Sequence, residues 1–145
     1  MRRSLHLAAL WVPVAAYGGA VYYLSSLSRV MVAGRIPDYL LHPAEYAGLT
    51  ILIIRALNGG LIRRIPGTVH LWGVGLAVLY AVFDELHQLH VPRRTASLKD
   101  VLSDTLGAVL AVGLAEAIQR VASRRRHDLQ ASPGRRGDPQ QALPD

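Results

Sequence analysis

The chain contains no cysteine, which rules out a disulfide framework or a thiol site. It has no H-E-x-x-H or comparable metal signature, and no internal repeat. Charge is missing over long intervals. There is no Asp, Glu, Lys or Arg between Ser4 and Ser28, and none between Ile65 and Phe83. These gaps exclude an even spread of charge, although the 145 residues include 16 basic and 10 acidic side chains. The mean hydropathy is nonetheless positive, at +0.24. The charges must therefore be segregated between apolar stretches. About 20 apolar residues cross the hydrocarbon core of a bilayer, and both uncharged intervals reach that length.

What is present divides into four segments. The first spans about Leu5 to Leu27, with Trp11, Tyr22 and Tyr23 towards its ends, where interfacial aromatics are favoured. Arg2 and Arg3 could open a signal peptide, but the apolar run exceeds the roughly 7–15 residues of a signal h-region. It reads as a transmembrane helix. The second segment spans about Tyr39 to Leu57 and ends at Asn58-Gly59-Gly60. The third spans about Val69 to Leu89, and the fourth about Leu98 to Ile118. The fold class expected is an all-α membrane protein, a bundle of four transmembrane helices over residues 1–120. Residues 121–145 read as a basic, Pro/Gly-rich disordered tail.

The net charge of +6 does not point to nucleic acid, because the basic residues sit at segment ends and in the tail. Four crossings put the N-terminus, the second connector and the tail on one side. That side holds eleven Lys and Arg residues against five on the other, so both termini are expected in the cytoplasm.

Six of the ten acids, Asp38, Glu45, Asp84, Glu85, Asp100 and Asp104, map to the outer ends of segments two to four. His42 and Glu45 follow Asp38 at i+4 and i+7 on one helix face. Asp84, His87 and Gln88 share a face, with Glu85 turned about 100° away. Asp100 and Asp104 continue into a small-residue stripe of Gly107, Ala108, Ala111 and Ala115, of the kind that lets membrane helices approach closely. Gly18, Tyr22, Ser25 and Ser26 give the first segment a comparable stripe. Ionisable residues at membrane depth cost about 2.5–3.5 kcal/mol on insertion scales unless they pair, reach the interface or line a wet site.

Three readings follow. In one, Arg29, Arg35, Arg93, Arg94 and Lys99 pair with the six acids in an internal ion network, and the bundle has a structural or interaction role. In another, His42, Glu45, Asp84, His87, Asp100 and Asp104 hold a divalent metal. In the third, the cluster binds a headgroup or performs acid–base chemistry, with Asp84, Glu85 and His87 as proton carriers and Arg94 as an anion contact. His6 and His70 read as interfacial, and Arg120 with Arg124 to Arg126 as an anchor suited to anionic lipid.

The string Phe83-Asp84-Glu85-Leu86-His87-Gln88, with Pro92, Arg94, Ser97, Asp100, Asp104 and Gly107 after it, resembles the VanZ-like family of small bacterial membrane proteins. Tyr23-Leu24-Ser25-Ser26 and Asp38-x-x-x-His42 with Glu45 are also similar to that family. Two positions depart from its pattern. Tyr39 stands where the family usually has Lys, and Arg93 where Gly is frequent. The resemblance implies a multi-pass protein of the bacterial plasma membrane, in a family whose founding member is linked to teicoplanin resistance. It implies a site centred on Asp84, Glu85, His87, Asp100 and Asp104, with His42, Glu45, Gln88, Arg94, Ser97, Ser25 and Ser26 binding substrate. The partners it implies are membrane lipids, a lipid-linked envelope precursor or a glycopeptide. A hydrolase or transferase acting on a lipid-linked substrate is the enzymatic alternative.

Overall fold

The computed structural model describes residues 2–27, 38–62, 64–92 and 94–131, and every regular element among them is α-helical. The helices are α1 (Arg2–Ser25), α2 (Asp38–Asn58), α3 (Gly67–Gln88) and α4 (Leu98–Ala131). All four are long and apolar enough to cross a membrane. Their outward faces carry Leu71, Trp72, Leu79 and Phe83 on α3, and Leu102, Leu106, Leu110 and Leu114 on α4. In water this surface would be a severe liability, whereas in lipid it is ordinary solvation.

The ends of α2 follow from local chemistry. Gly59 adopts φ +71°, and the Gly59 and Gly60 amides donate to the carbonyls of Ala56 and Arg55. This is the Schellman arrangement that stops a helix on a glycine. Within α1, Pro13 has no N–H to offer the Ala9 carbonyl one turn back. Arg55 of α2 reaches that carbonyl instead, at 3.5 Å. α4 runs thirteen residues past the segment end expected at Ile118. Ala and Arg are good helix formers, and the sequence has neither Gly nor Pro between Gly113 and Pro133 to stop it. A Glu116–Arg120 pair at 2.6 Å supports the extra turns. The expected tail beyond Ala131 lies outside the described residues.

α2 lies at the centre and packs against each of the other three helices, most extensively α4. It supplies bulk through Tyr46, Leu49, Ile53 and Ile54. α3 and α4 offer flat faces of small residues, Gly73, Ala77 and Ala81 on one and Gly107, Ala108 and Ala111 on the other. At Gly107 the two backbones all but touch, since a Cβ there would lie 2.1 Å from the Pro43 carbonyl oxygen. α1 contacts α2 and, over a small area, α3, but among the described residues it does not touch α4. The polar faces of the four helices therefore do not meet in one central seam. The small faces of α3 and α4 let both close directly on α2, which leaves α1 only the groove between α2 and α3.

Candidate functional site

The C-terminal ends of α1 and α3 and the N-terminal ends of α2 and α4 meet at one end of the molecule, where the polar side chains gather. Asp84, Glu85 and Asp104 are 3%, 5% and 2% exposed, and Gln88 and Ser25 are buried with them. On α3 the buried positions run His70, Gly73, Ala77, Ala81, Asp84, Glu85 and Gln88, a continuous helical face. Glu85, turned away from Asp84 by one helical step, is thus on the inner face as well. It points to the entrance of α4 rather than to α1.

Asp84 has both carboxylate oxygens engaged. Ser25 Oγ donates to Oδ1 at 2.6 Å, and Gln88 Nε2 donates to Oδ2 at 3.0 Å. His87 lies in a closed ring of hydrogen bonds with α1. Ser26 Oγ donates to the Tyr22 carbonyl at 2.7 Å, the shorter of its two contacts. Its contact with His87 Nε2 at 3.0 Å then requires Nε2 to carry the proton. Nδ1 becomes the acceptor for the Tyr22 hydroxyl at 3.1 Å. The Tyr22 and His87 rings also overlap, with centroids 4.1 Å apart. The spacing of Ser26 and His87 is that of a nucleophile and its base, but this proton arrangement leaves Nε2 donating rather than accepting. Ser25, Ser26, Gln88 and His87 therefore fasten α1 to α3.

The remaining groups lie among α2, α3 and α4. His42 Nδ1 is 3.2 Å from Asp104 Oδ1, just above the Pro43–Gly107 contact. Glu85 Oε2 accepts the Ser97 main-chain N–H at 2.7 Å, so Ser97 takes part through its backbone at the start of α4. Glu85 lies within electrostatic range of Asp100, His42 and Asp104. Glu45 stands in the same relation to His42, Asp104, Asp84 and Arg94. Asp100 lies in the first turn of α4, where the helix dipole favours negative charge.

Among the described residues, the basic side chains expected in an ion network make no direct contact with the buried acids Asp84, Glu85 and Asp104. Arg94 donates to the Leu27 carbonyl through Nε and Nη2, at 3.4 and 3.3 Å, and so closes the C-terminal end of α1. Lys99 is exposed. Among the described residues, no Lys or Arg nitrogen lies within 4 Å of Asp84, Glu85 or Asp104. Arg29, Arg35 and Arg93, the other partners expected for an ion network, lie outside the described residues. No group of three His, Asp or Glu side chains among those described is arranged to hold a metal ion. The donors expected for one are dispersed, with Asp84 and His87 committed to α1.

Two buried polar atoms have no hydrogen-bond partner among the described residues at this end, Glu85 Oε1 and the Tyr46 hydroxyl. Tyr46 is 1% exposed and lies within electrostatic range of Asp84, Asp104 and Glu45. Sequence reasoning passed over it because the triplet Asp38, His42, Glu45 drew attention to a neighbouring face. The signal was there in His42, Tyr46, Leu49 and Ile53, a second i, i+4, i+7 series. At the opposite end His70, read as interfacial, is buried with Nδ1 3.6 Å from Glu116. Gln119 bonds the Ile65 amide and the Leu61 carbonyl there.

Residues 39–119, more than half of the chain, match the family model described as VanZ/LLP1. No curated protein and no solved structure matches the chain. The matched span takes in α2, α3 and most of α4, the three helices that enclose Glu85, Tyr46 and Asp104, and leaves out α1 with Tyr22, Ser25 and Ser26.

Proposed function

The chain belongs to the VanZ/LLP1 family, and from that premise we propose that this multi-pass membrane protein binds a polar lipid headgroup at the acidic end of its helices. The lipid is a membrane phospholipid or a lipid-linked precursor of the cell envelope. Binding takes place at the outer leaflet of a bacterial plasma membrane, with both chain termini cytoplasmic. The observation that carries this reading is the pair of unpartnered buried atoms, Glu85 Oε1 and Tyr46 Oη. Leaving a buried polar group unmatched costs about 1–3 kcal/mol, and a bound headgroup removes that cost for both. Glu85 and Tyr46 form the contact set, with Asp104, His42, Glu45 and Asp100 around it. Asp84, His87, Gln88, Ser25 and Ser26 hold α1 against it. A change in teicoplanin susceptibility follows on this reading when the headgroup is that of an envelope precursor.

The test is lipid analysis of the purified protein. Wild type is expected to retain one lipid class through extraction and gel filtration. Asp104→Asn is expected to lose that class while keeping its helicity. An unchanged lipid complement in a folded Asp104→Asn protein would refute the proposal.

A further inference from the structure

We infer that the group recognised at this site is a primary ammonium, carried by a lipid headgroup, rather than a phosphate. The inference rests on the headgroup reading above and adds the chemistry of the ligand to it.

The first consideration is charge. Asp84, Glu85 and Asp104 are buried and Glu45 and Asp100 are partly buried, with a single imidazole, His42, in direct contact with any of the five among α2, α3 and α4. The guanidinium best placed to receive an anion, that of Arg94, is turned to the Leu27 carbonyl. A phosphate placed here would meet carboxylates and find no described Lys or Arg nitrogen in contact with them. Among the described residues, only His42 and, at longer range, Arg94 offset these five carboxylates, so a cation would balance the excess. In a low-dielectric setting, a charge is tolerated where it is both paired and hydrogen-bonded.

The second consideration is hydrogen bonding. Glu85 Oε1 is a carboxylate oxygen, and its twin Oε2 is already taken by the Ser97 amide at 2.7 Å. The Tyr46 hydroxyl is also unpartnered, both as acceptor and as donor. An ammonium has three N–H donors and no acceptor, so it matches the open Glu85 oxygen and the carboxylates around it. A quaternary ammonium carries the same charge but no N–H, and would leave both atoms as they are. A hydroxyl could donate to one of them, but would not offset the charge.

Position makes a lipid the source of the amine. The site lies at the ends of four membrane-crossing helices, beside Leu86, Leu89, Leu98 and Leu102, which face outward into lipid. A headgroup at the membrane surface reaches this depth while its acyl chains lie along those leucines.

Native mass spectrometry of the full-length protein, released from micelles containing one lipid at a time, separates the possibilities. Phosphatidylethanolamine is expected to be retained about tenfold better than phosphatidylcholine or phosphatidylglycerol, as one charge-assisted hydrogen bond implies. Glu85→Gln and Tyr46→Phe are each expected to reduce the ethanolamine adduct about tenfold and to leave the glycerol adduct unchanged. Equal or better retention of phosphatidylglycerol or phosphatidylcholine by wild type overturns the ammonium assignment. If that retention falls in Asp104→Asn, the headgroup reading survives; if no lipid depends on Asp104, both fail. Displacement of phosphatidylethanolamine by soluble ethanolamine at equal concentration overturns the lipid source and leaves the ammonium chemistry. The wild-type lipid series decides the question even if a variant fails to fold.

Discussion

Neighbouring acids on α3 have opposite assignments. Asp84 accepts one bond on each oxygen, from Ser25 and from Gln88, and so is saturated by the protein itself. Glu85 accepts one bond from Ser97 and leaves the other oxygen open. The first is a fastener and the second a contact for something not supplied by the chain. Asp84→Ala strands Ser25 and Gln88, and a loss of about 1–3 kcal/mol is expected in thermal or denaturant unfolding in detergent. Ser25→Ala in the same background should add little, because the two act as one unit. Additive losses would show that the Ser25–Asp84 bond does not pin α1. At the same scale, elemental analysis of purified protein is expected to find no stoichiometric divalent ion, given how the carboxylates are dispersed. An ion at one per chain that disappears in Asp100→Asn would contradict this.

At the scale of elements, the decisive contact is the crossing of α2 and α4 at Pro43 and Gly107, which sets how near His42 comes to Asp104. Gly107→Leu must force the backbones apart. It is expected to cost about 1–3 kcal/mol or more and to abolish lipid retention, whereas Gly113→Leu, which has open space around it, should be close to neutral in both. Equal behaviour of the two variants in unfolding and lipid binding would show that the crossing is not what organises the site. Much of this was legible in the sequence. The charge-free runs, the Gly59-Gly60 stop and the stripe from Asp104 through Gly107, Ala108 and Ala111 locate the helices and the inner face of α4. The shared face of Asp84 and Gln88 was legible too, because helical periodicity is local information, whereas Glu85, a helical step away, is buried as well. What was not legible is partner choice. Nothing in the spacing of Arg94 says that it will close α1 instead of meeting an acid, and nothing near Ser25 or Ser26 names Asp84 and His87 across some 60 residues of chain. These depend on α2 occupying the centre, which follows from matching bulk on one helix to small residues on two others. The end of α4 is not legible in its polar composition, because Ala and Arg sustain a helix as far as Ala131.

For the whole molecule, an acidic end faces a basic one. Arg120, Arg124 and Arg125 extend α4 at the end opposite Glu85 and Asp104, close to the start of α1. The excess of basic residues on that side supports the proposed cytoplasmic placement of the termini by the positive-inside rule. A reporter fused after Asp128 is expected to behave as cytoplasmic, and one exported across the membrane would reverse the orientation and move the site to the inner leaflet. On the proposed orientation the acidic end faces outward, where envelope lipids and their precursors would be met. The most direct measurement is an experimental structure of the protein in lipid at a resolution that shows headgroups. The expected result is a headgroup between α2, α3 and α4, with a polar atom within roughly 3.2 Å of Glu85 Oε1. Ordered water alone at that atom, or one of the chain's own arginines turned in to meet it, would contradict it.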